Sequence, residues 1–181
     1  MKRLWQFGAL MVLGAVALGC GGNSTLNEDK ATVYLAVEIK EYNPDISVSQ
    51  TADIYITDMS IKSFLKNPEG TPSNAQDVRL TRWVVDPYRT DGGTTASPRW
   101  VHDIDVYVAA GGEAALENYR VYPAEFFREA PLVYLFPENG GVDPETGRTN
   151  IRQTLKIEIF GTTMGGKSIS VVTNVAFNFF Y

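Results

Sequence analysis

Apolar residues recur at every second position over long stretches of this chain. In ATVYLAVEIK (31–40), Val33, Leu35, Val37 and Ile39 alternate with Tyr34, Ala36, Glu38 and Lys40. A period of two sends the two sets to opposite faces, so the segment predicts a half-buried strand. The C-terminal SISVVTNVAFNFFY (168–181) behaves in the same way. Its core face takes Ile169, Val171, Val175, Phe177 and Phe179, while Phe180 shares the other face with Ser168, Ser170, Asn174 and Asn178. In ADIYITDMSIKSFL (52–65) the phase breaks: Ala52, Ile54 and Ile56 give way to Met59, Ile61 and Leu65. A one-residue slip flips every later side chain, which predicts a bulge or strand break near Asp58.

Further strands are expected over 77–88, which Pro87 ends or confines to an edge, and over the pair flanking TTMGGK (162–167). A hairpin is expected around Gly111-Gly112. LVYLF (132–136) reads as a brief apolar strand, and AEFFREA (124–130) as one short helix between Pro123 and Pro131. Residues 66–74, 89–98 and 137–150 are rich in Gly, Pro and polar residues and read as loops and turns. The sum is an all-β fold: a single antiparallel β-sandwich of about seven to nine strands with one short helix. The passages IDVYVAAGGEAAL (104–116) and IEIFGTTMGGKSISV (157–171) resemble strand–turn–strand segments of immunoglobulin-like and fibronectin-III-like modules. That resemblance implies a body over residues 31–181.

The first residues carry a different signal. Lys2 and Arg3 precede an apolar run from Leu4 to Leu18, too short for a bilayer span of about 20 residues. This is the layout of a secretory signal peptide. The run ends in ALGC, and Cys20 is the only cysteine. ALGC resembles the lipobox of bacterial lipoproteins. The resemblance implies a signal peptide over 1–19, acylation of Cys20 (palmitate or a similar chain), and an anchored, exported protein. Gly21 rather than Asp follows the cysteine, which by the same resemblance implies the outer membrane, on either face. Residues 20–30 are small and polar and read as a tether of roughly 17–19 Å r.m.s. span. A single cysteine also means that no disulfide staples the fold.

Strand faces bear on a second architecture, a small outer-membrane β-barrel. Alternation places Arg82 with Val78 and Leu80, and Glu117 with Ala115, Tyr119 and Val121. A basic residue facing lipid near the midplane costs about 2–4 kcal/mol, so the sandwich is preferred.

Charge narrows the partners. Without Lys2 and Arg3, Lys plus Arg falls from 16 to 14 against 21 acids. Such a body does not neutralise phosphates, which excludes nucleic acid as the expected partner. Catalytic signals are weak. There is no Gly-x-Ser-x-Gly elbow, and the only histidine, His102, has Asp103 on the opposite strand face. It is expected at the surface or at a loop end. No cofactor and no enzymatic activity are expected. Asn139, Asp143 and Glu145 are hard oxygen donors in a glycine-rich loop and form a weak calcium candidate set; the other reading is an exposed turn. Aromatics make up 12% of the chain, enough to fill a core with some left for recognition. Trp100 follows Pro98 and Arg99 in a turn-rich stretch, and Phe180 lies on the polar face of the last strand; both are candidate contacts. The functional expectation is a lipid-anchored cell-envelope lipoprotein with a non-catalytic structural or protein-binding role at the outer membrane. A carbohydrate-binding surface module is the alternative.

Overall fold

The computed structural model describes residues 31–181. Cys20, the signal segment and the tether lie outside the described residues. Eight strands follow in order: β1 (Val33–Tyr42), β2 (Asp45–Ser47), β3 (Ile54–Leu65), β4 (Val78–Arg89), β5 (Trp100–Val108), β6 (Glu113–Tyr122), β7 (Asn150–Thr163) and β8 (Ser168–Phe180). They form a three-stranded sheet, β1-β3-β6, and a five-stranded sheet, β2-β8-β7-β4-β5. Every pairing is antiparallel except the short parallel one between β2 and β8. One hydrophobic cluster joins side chains of both sheets. Tyr42 of β1 meets Phe177 of β8 at 5.5 Å, and Trp83 of β4 meets Tyr119 of β6 at 5.0 Å.

The alternating strands behave as their sequences require. Ile169, Val171, Val175, Phe177 and Phe179 are all buried, and Phe180 is 37% exposed. The phase break in β3 is a bulge: the β1–β3 register passes from Ile39↔Met59 through Glu41↔Asp58 to Tyr42↔Ile56. Ile54 and Ile56 before it, and Met59 and Ile61 after it, therefore all reach the core.

Two irregularities alter strand faces in ways that simple alternation misses. In β4 the register to β7 jumps from Leu80↔Gly161 to Arg82↔Phe160, leaving Thr81 unpaired. The slip turns Trp83 inward, to complete burial, and Arg82 outward, away from Val78 and Leu80. The outer Arg82 guanidinium stacks over Phe160 at 4.5 Å. Gly161 makes the bulge possible: a Cβ there would lie 2.3 Å from the Arg79 carbonyl oxygen. In β6, Asn118 adopts the left-handed region with φ 48°, which Asn tolerates better than most residues. Tyr119 consequently joins Ala114 and Leu116 on the half-buried face instead of Glu117 and Ala115 on the exposed one.

Three further expectations are corrected, and the alternative left open at Pro87 is resolved in favour of an edge. The Gly111-Gly112 turn does not close a hairpin, because β5 pairs with β4 in one sheet while β6 pairs with β3 in the other. The turn is an arch between sheets, held by the Ser63 amide donating to the Gly112 carbonyl at 2.9 Å. The expected helix is a five-residue 3-10 turn, Ala124–Arg128, that buries Phe127; prolines on both sides leave too few residues for an α-helix. LVYLF is also a 3-10 turn, Leu132–Leu135, and its apolar residues plug the end of the core rather than pair in a sheet. Among the described residues there is no α-helix. Pro87 does not end β4, which continues to Arg89 against β7. Pairing with β5 stops at Val85↔Trp100, so the missing N–H falls where β4 has one open side.

Candidate functional site

Strands β5 and β6 each lie at one edge of their sheet, as β2 and β1 do at the other, and the arch at 109–112 joins β5 to β6. Each has a sheet neighbour on one side alone. Their inward side chains differ from those of the central strands. Trp83, Val85, Ile157, Ile159, Val175 and Phe177 are fully buried, whereas Trp100, His102, Ile104 and Val106 of β5 and Leu116 and Tyr119 of β6 are half-buried. Here the two sheets meet along a seam lined by half-buried apolar and aromatic groups that pack against the core.

At one end of the seam an aromatic group assembles. The β4–β5 register sets Trp83 opposite His102 and Val85 opposite Trp100. The His102 ring stacks on Trp100 with centroids 4.0 Å apart and planes 22° from parallel. Tyr119, turned inward by Asn118, lies 5.0 Å from Trp83 and 6.4 Å from His102. The Arg120 guanidinium sits over Trp100 at 4.9 Å and donates to Asp53 at 3.2 Å, a cation–π contact that fixes the indole. Two buried polar atoms, Trp83 Nε1 and His102 Nδ1, have no hydrogen-bond partner in the protein. The Ser60 and Ser63 hydroxyls of β3 share this property.

Burial and the Arg120 charge push the His102 pKa down, against an opposing pull from Asp103. The imidazole is therefore neutral at neutral pH, with no acidic partner on its own face. Burial likewise raises the Tyr119 phenol, with Arg120 opposing.

The sequence candidates distribute as follows. Trp100 opens β5 and is half-buried, not exposed in a turn. Its ring already carries His102 and Arg120, so it is not an open stacking platform. His102 lies inside β5 rather than at a surface or loop end. Phe180 is on β8, separated from β5 by β7 and β4, so it and Trp100 do not share a site. Phe180 packs instead at the β2 edge, where its carbonyl accepts from the Val48 amide at 2.7 Å.

The three calcium candidates are engaged separately. Asn139 donates to the Val133 carbonyl at 3.0 Å. Asp143 accepts from Arg89 at 2.7 Å and from the Thr146 hydroxyl at 2.6 Å. Glu145 accepts from the amides and hydroxyls of Thr94 and Thr95. Among the described residues no three His, Cys, Asp or Glu side chains converge on a common point. Asp143 instead belongs to a buried ion triad. The guanidinium of Arg89 bridges Asp91, at 2.7 Å, and Asp143, and all three side chains are 1% exposed. Burial works to raise the Asp91 pKa, but Arg89 and the amides of Arg152 and Gly93 outweigh it and hold the carboxyl at about 2.

No protein-family model matches the chain, and a search of curated proteins finds no match.

Proposed function

We propose that this protein is a lipid-anchored lipoprotein of the outer membrane whose body is an immunoglobulin-like β-sandwich with a non-catalytic, protein-binding role. For the anchor, the support is the basic start, the short apolar run and ALGC ending at Cys20. For the sandwich, the support is strand order. The run β8-β7-β4-β5 follows the G-F-C-C′ order of variable-type immunoglobulin sheets, and β3 beside β6 follows B beside E. Trp83 on β4 takes the place of the buried strand-C tryptophan of that architecture. The charged outer positions Arg79, Arg82, Asp103 and Asp105 suit an aqueous surface and weigh against the barrel alternative.

The observation that carries the binding role is the half-buried β5–β6 seam. Half-buried His102, Ile104, Val106, Leu116 and Tyr119 give a partner an apolar surface, and the unpaired side of β5 offers backbone groups for strand addition. Strand addition of β5 to a second copy, antiparallel about Ile104, would set Asp103 against Asp105, which disfavours self-pairing. A different protein is the better fit. The carbohydrate alternative requires exposed coplanar rings, and Trp100 is covered.

A photo-crosslinking residue at Val101, which is exposed on β5, tests this in the native envelope. One reproducible crosslinked protein is expected, absent when the probe is moved to Val172 on the outer face of β8. Equal labelling at both positions, or none at either, overturns the role assigned to the seam.

A further inference from the structure

Among the described residues, the chain begins at one pole of the molecule, and strand registers identify what else lies there. Val33 pairs with Leu65, Lys62 with Glu113, Val78 with both Val108 and Thr163, and Thr162 with Ser168. The start of β1, the end of β3, the arch, the start of β4 and the β7–β8 turn therefore gather at this pole. Gln76 ties the two sheets together there by donating to the Thr32 hydroxyl at 3.1 Å.

Four large apolar side chains stand exposed at the same pole: Tyr34 (44%), Phe64 (39%), Tyr107 (56%) and Met164 (62%). Tyr34 and Phe64 are register partners and stack at 5.1 Å. Tyr107 and Met164 flank a shared hollow with Asn74, Ala75 and Asp77. Several charges around them are paired: Lys62 with Glu38, Arg79 with Asp105, and Asp77 with the Tyr107 hydroxyl and the Ala110 amide. Paired charges lower the cost of bringing a surface out of bulk water.

We propose that this pole docks on the lipid surface, with Tyr34, Phe64, Tyr107 and Met164 entering the headgroup layer of the membrane that holds the acyl chains. The inference rests on the reading of Cys20 as the lipidated residue. The occupant is chosen by chain length. Thirteen residues lie between Cys20 and Tyr34, and a chain of that length reaches at most about 50 Å when fully extended. Because the described fold begins here, the acylated residue is tied to this pole rather than to the far one. The other exposed aromatics among the described residues, Tyr55, Tyr88, Tyr134, Phe180 and Tyr181, lie toward the opposite ends of the strands or in the turn after β6, so this pole is selected by where the chain enters the fold and not by exposure alone. Tyrosine and phenylalanine favour the membrane interface, where an apolar ring and a polar tip or backbone are both accommodated. Interfacial contact of this kind does not depend on anionic lipid, which an acidic body would repel.

The test uses the lipidated full-length protein in vesicles of phosphatidylethanolamine and phosphatidylglycerol. Nitroxide labels are placed at Phe64→Cys, Met164→Cys and, as the far-pole control, Phe180→Cys, and collision with oxygen is compared with collision with a water-soluble nickel complex. Labels at 64 and 164 are expected to favour oxygen several-fold more than the label at 180. Vesicle-bound protein with all three labels equally open to nickel overturns the docking face and leaves the anchor standing. Shielding of 64 and 164 in native envelopes but not in vesicles assigns the pole to a protein and also overturns it. A full-length chain that carries no acyl group and does not bind vesicles removes the anchor reading, and the docking face with it.

Discussion

Arg89 and Asp143 meet at 2.7 Å across 54 residues of sequence, with both side chains 1% exposed. Arg89 closes β4, Asp143 sits in the loop before β7, and Asp91 completes the triad. A loop rich in Gly and Pro is thereby pinned to the end of a central strand. Removing the cation leaves two buried carboxylates unpaired, and breaking a buried pair in this way costs about 3–5 kcal/mol. Arg89→Met should lower the urea midpoint accordingly with an unchanged slope. A loss under about 1 kcal/mol would show that the triad does not hold the loop.

The same triad sets an acid limit. The folded Asp91 carboxyl lies at about 2, below its unfolded value near 3.9. A depressed pKa contributes stability that is present above the unfolded value and is lost as pH falls through the folded one. Stability should therefore drop between about pH 4 and pH 2, by about 2 kcal/mol from Asp91. Asp143 is shifted in the same direction, with Arg89 and Thr146 overcoming the effect of burial. Chemical denaturation across this range checks it. Asp91→Asn should flatten the profile, and an unchanged profile in that variant would assign the acid sensitivity to other carboxylates.

Gly161 tests the bulge. Its missing Cβ leaves room for the Arg79 carbonyl, 2.3 Å from where that atom would sit, and for Leu80 Cα at 2.8 Å. Both are backbone atoms of a central strand and cannot swing aside. Gly161→Ala should cost about 2 kcal/mol or more, in the range of overpacked cores. Gly92, with φ 98° but nothing within 4 Å, should cost only about 1 kcal/mol on the same change. Thermal melts that rank the two in reverse order would mean that the β4–β7 register is wrong at Thr81.

How much of this was legible in the sequence depends on how far apart the determining residues lie. Strands β1 and β8, the bulge at Asp58 and the β7–β8 hairpin follow from alternation and short turns, which are local. The sheet membership of β5 and β6 does not. A Gly-Gly turn between two alternating segments serves a hairpin or an arch equally well, and only pairing with β4 and β3 decides between them. The helix expected at 124–130 rests on residue types, but Pro123 and Pro131 restrict it to a 3-10 turn. The candidate seam was visible only in its parts. Trp83, Trp100 and Tyr119 stand out as aromatics, yet Tyr119 faces inward through the left-handed Asn118, and Trp83 through the Thr81 bulge. Each slip is one residue long and leaves no compositional mark. The calcium candidates misled because the partner of Asp143, Arg89, lies outside the loop that suggested them.

His102 separates the demands of folding from those of binding. It stacks on Trp100, faces Trp83 and Tyr119, and buries Nδ1 without a partner. A buried unsatisfied atom costs about 1–3 kcal/mol, and Phe would preserve the ring while removing it. His102→Phe should therefore raise the melting temperature by a few degrees, consistent with about 1 kcal/mol in a domain of this size. If the seam is the binding surface, the same variant should weaken crosslinking from position 101, because the half-buried ring that meets the partner changes character. Natural sites keep such local penalties where function requires them. A variant that is more stable and crosslinks as well as the parent would make His102 a packing residue and move the contact elsewhere along β5. A variant that is less stable would show that Nδ1 has a partner, such as a bound water, and that the penalty inferred at the seam does not exist.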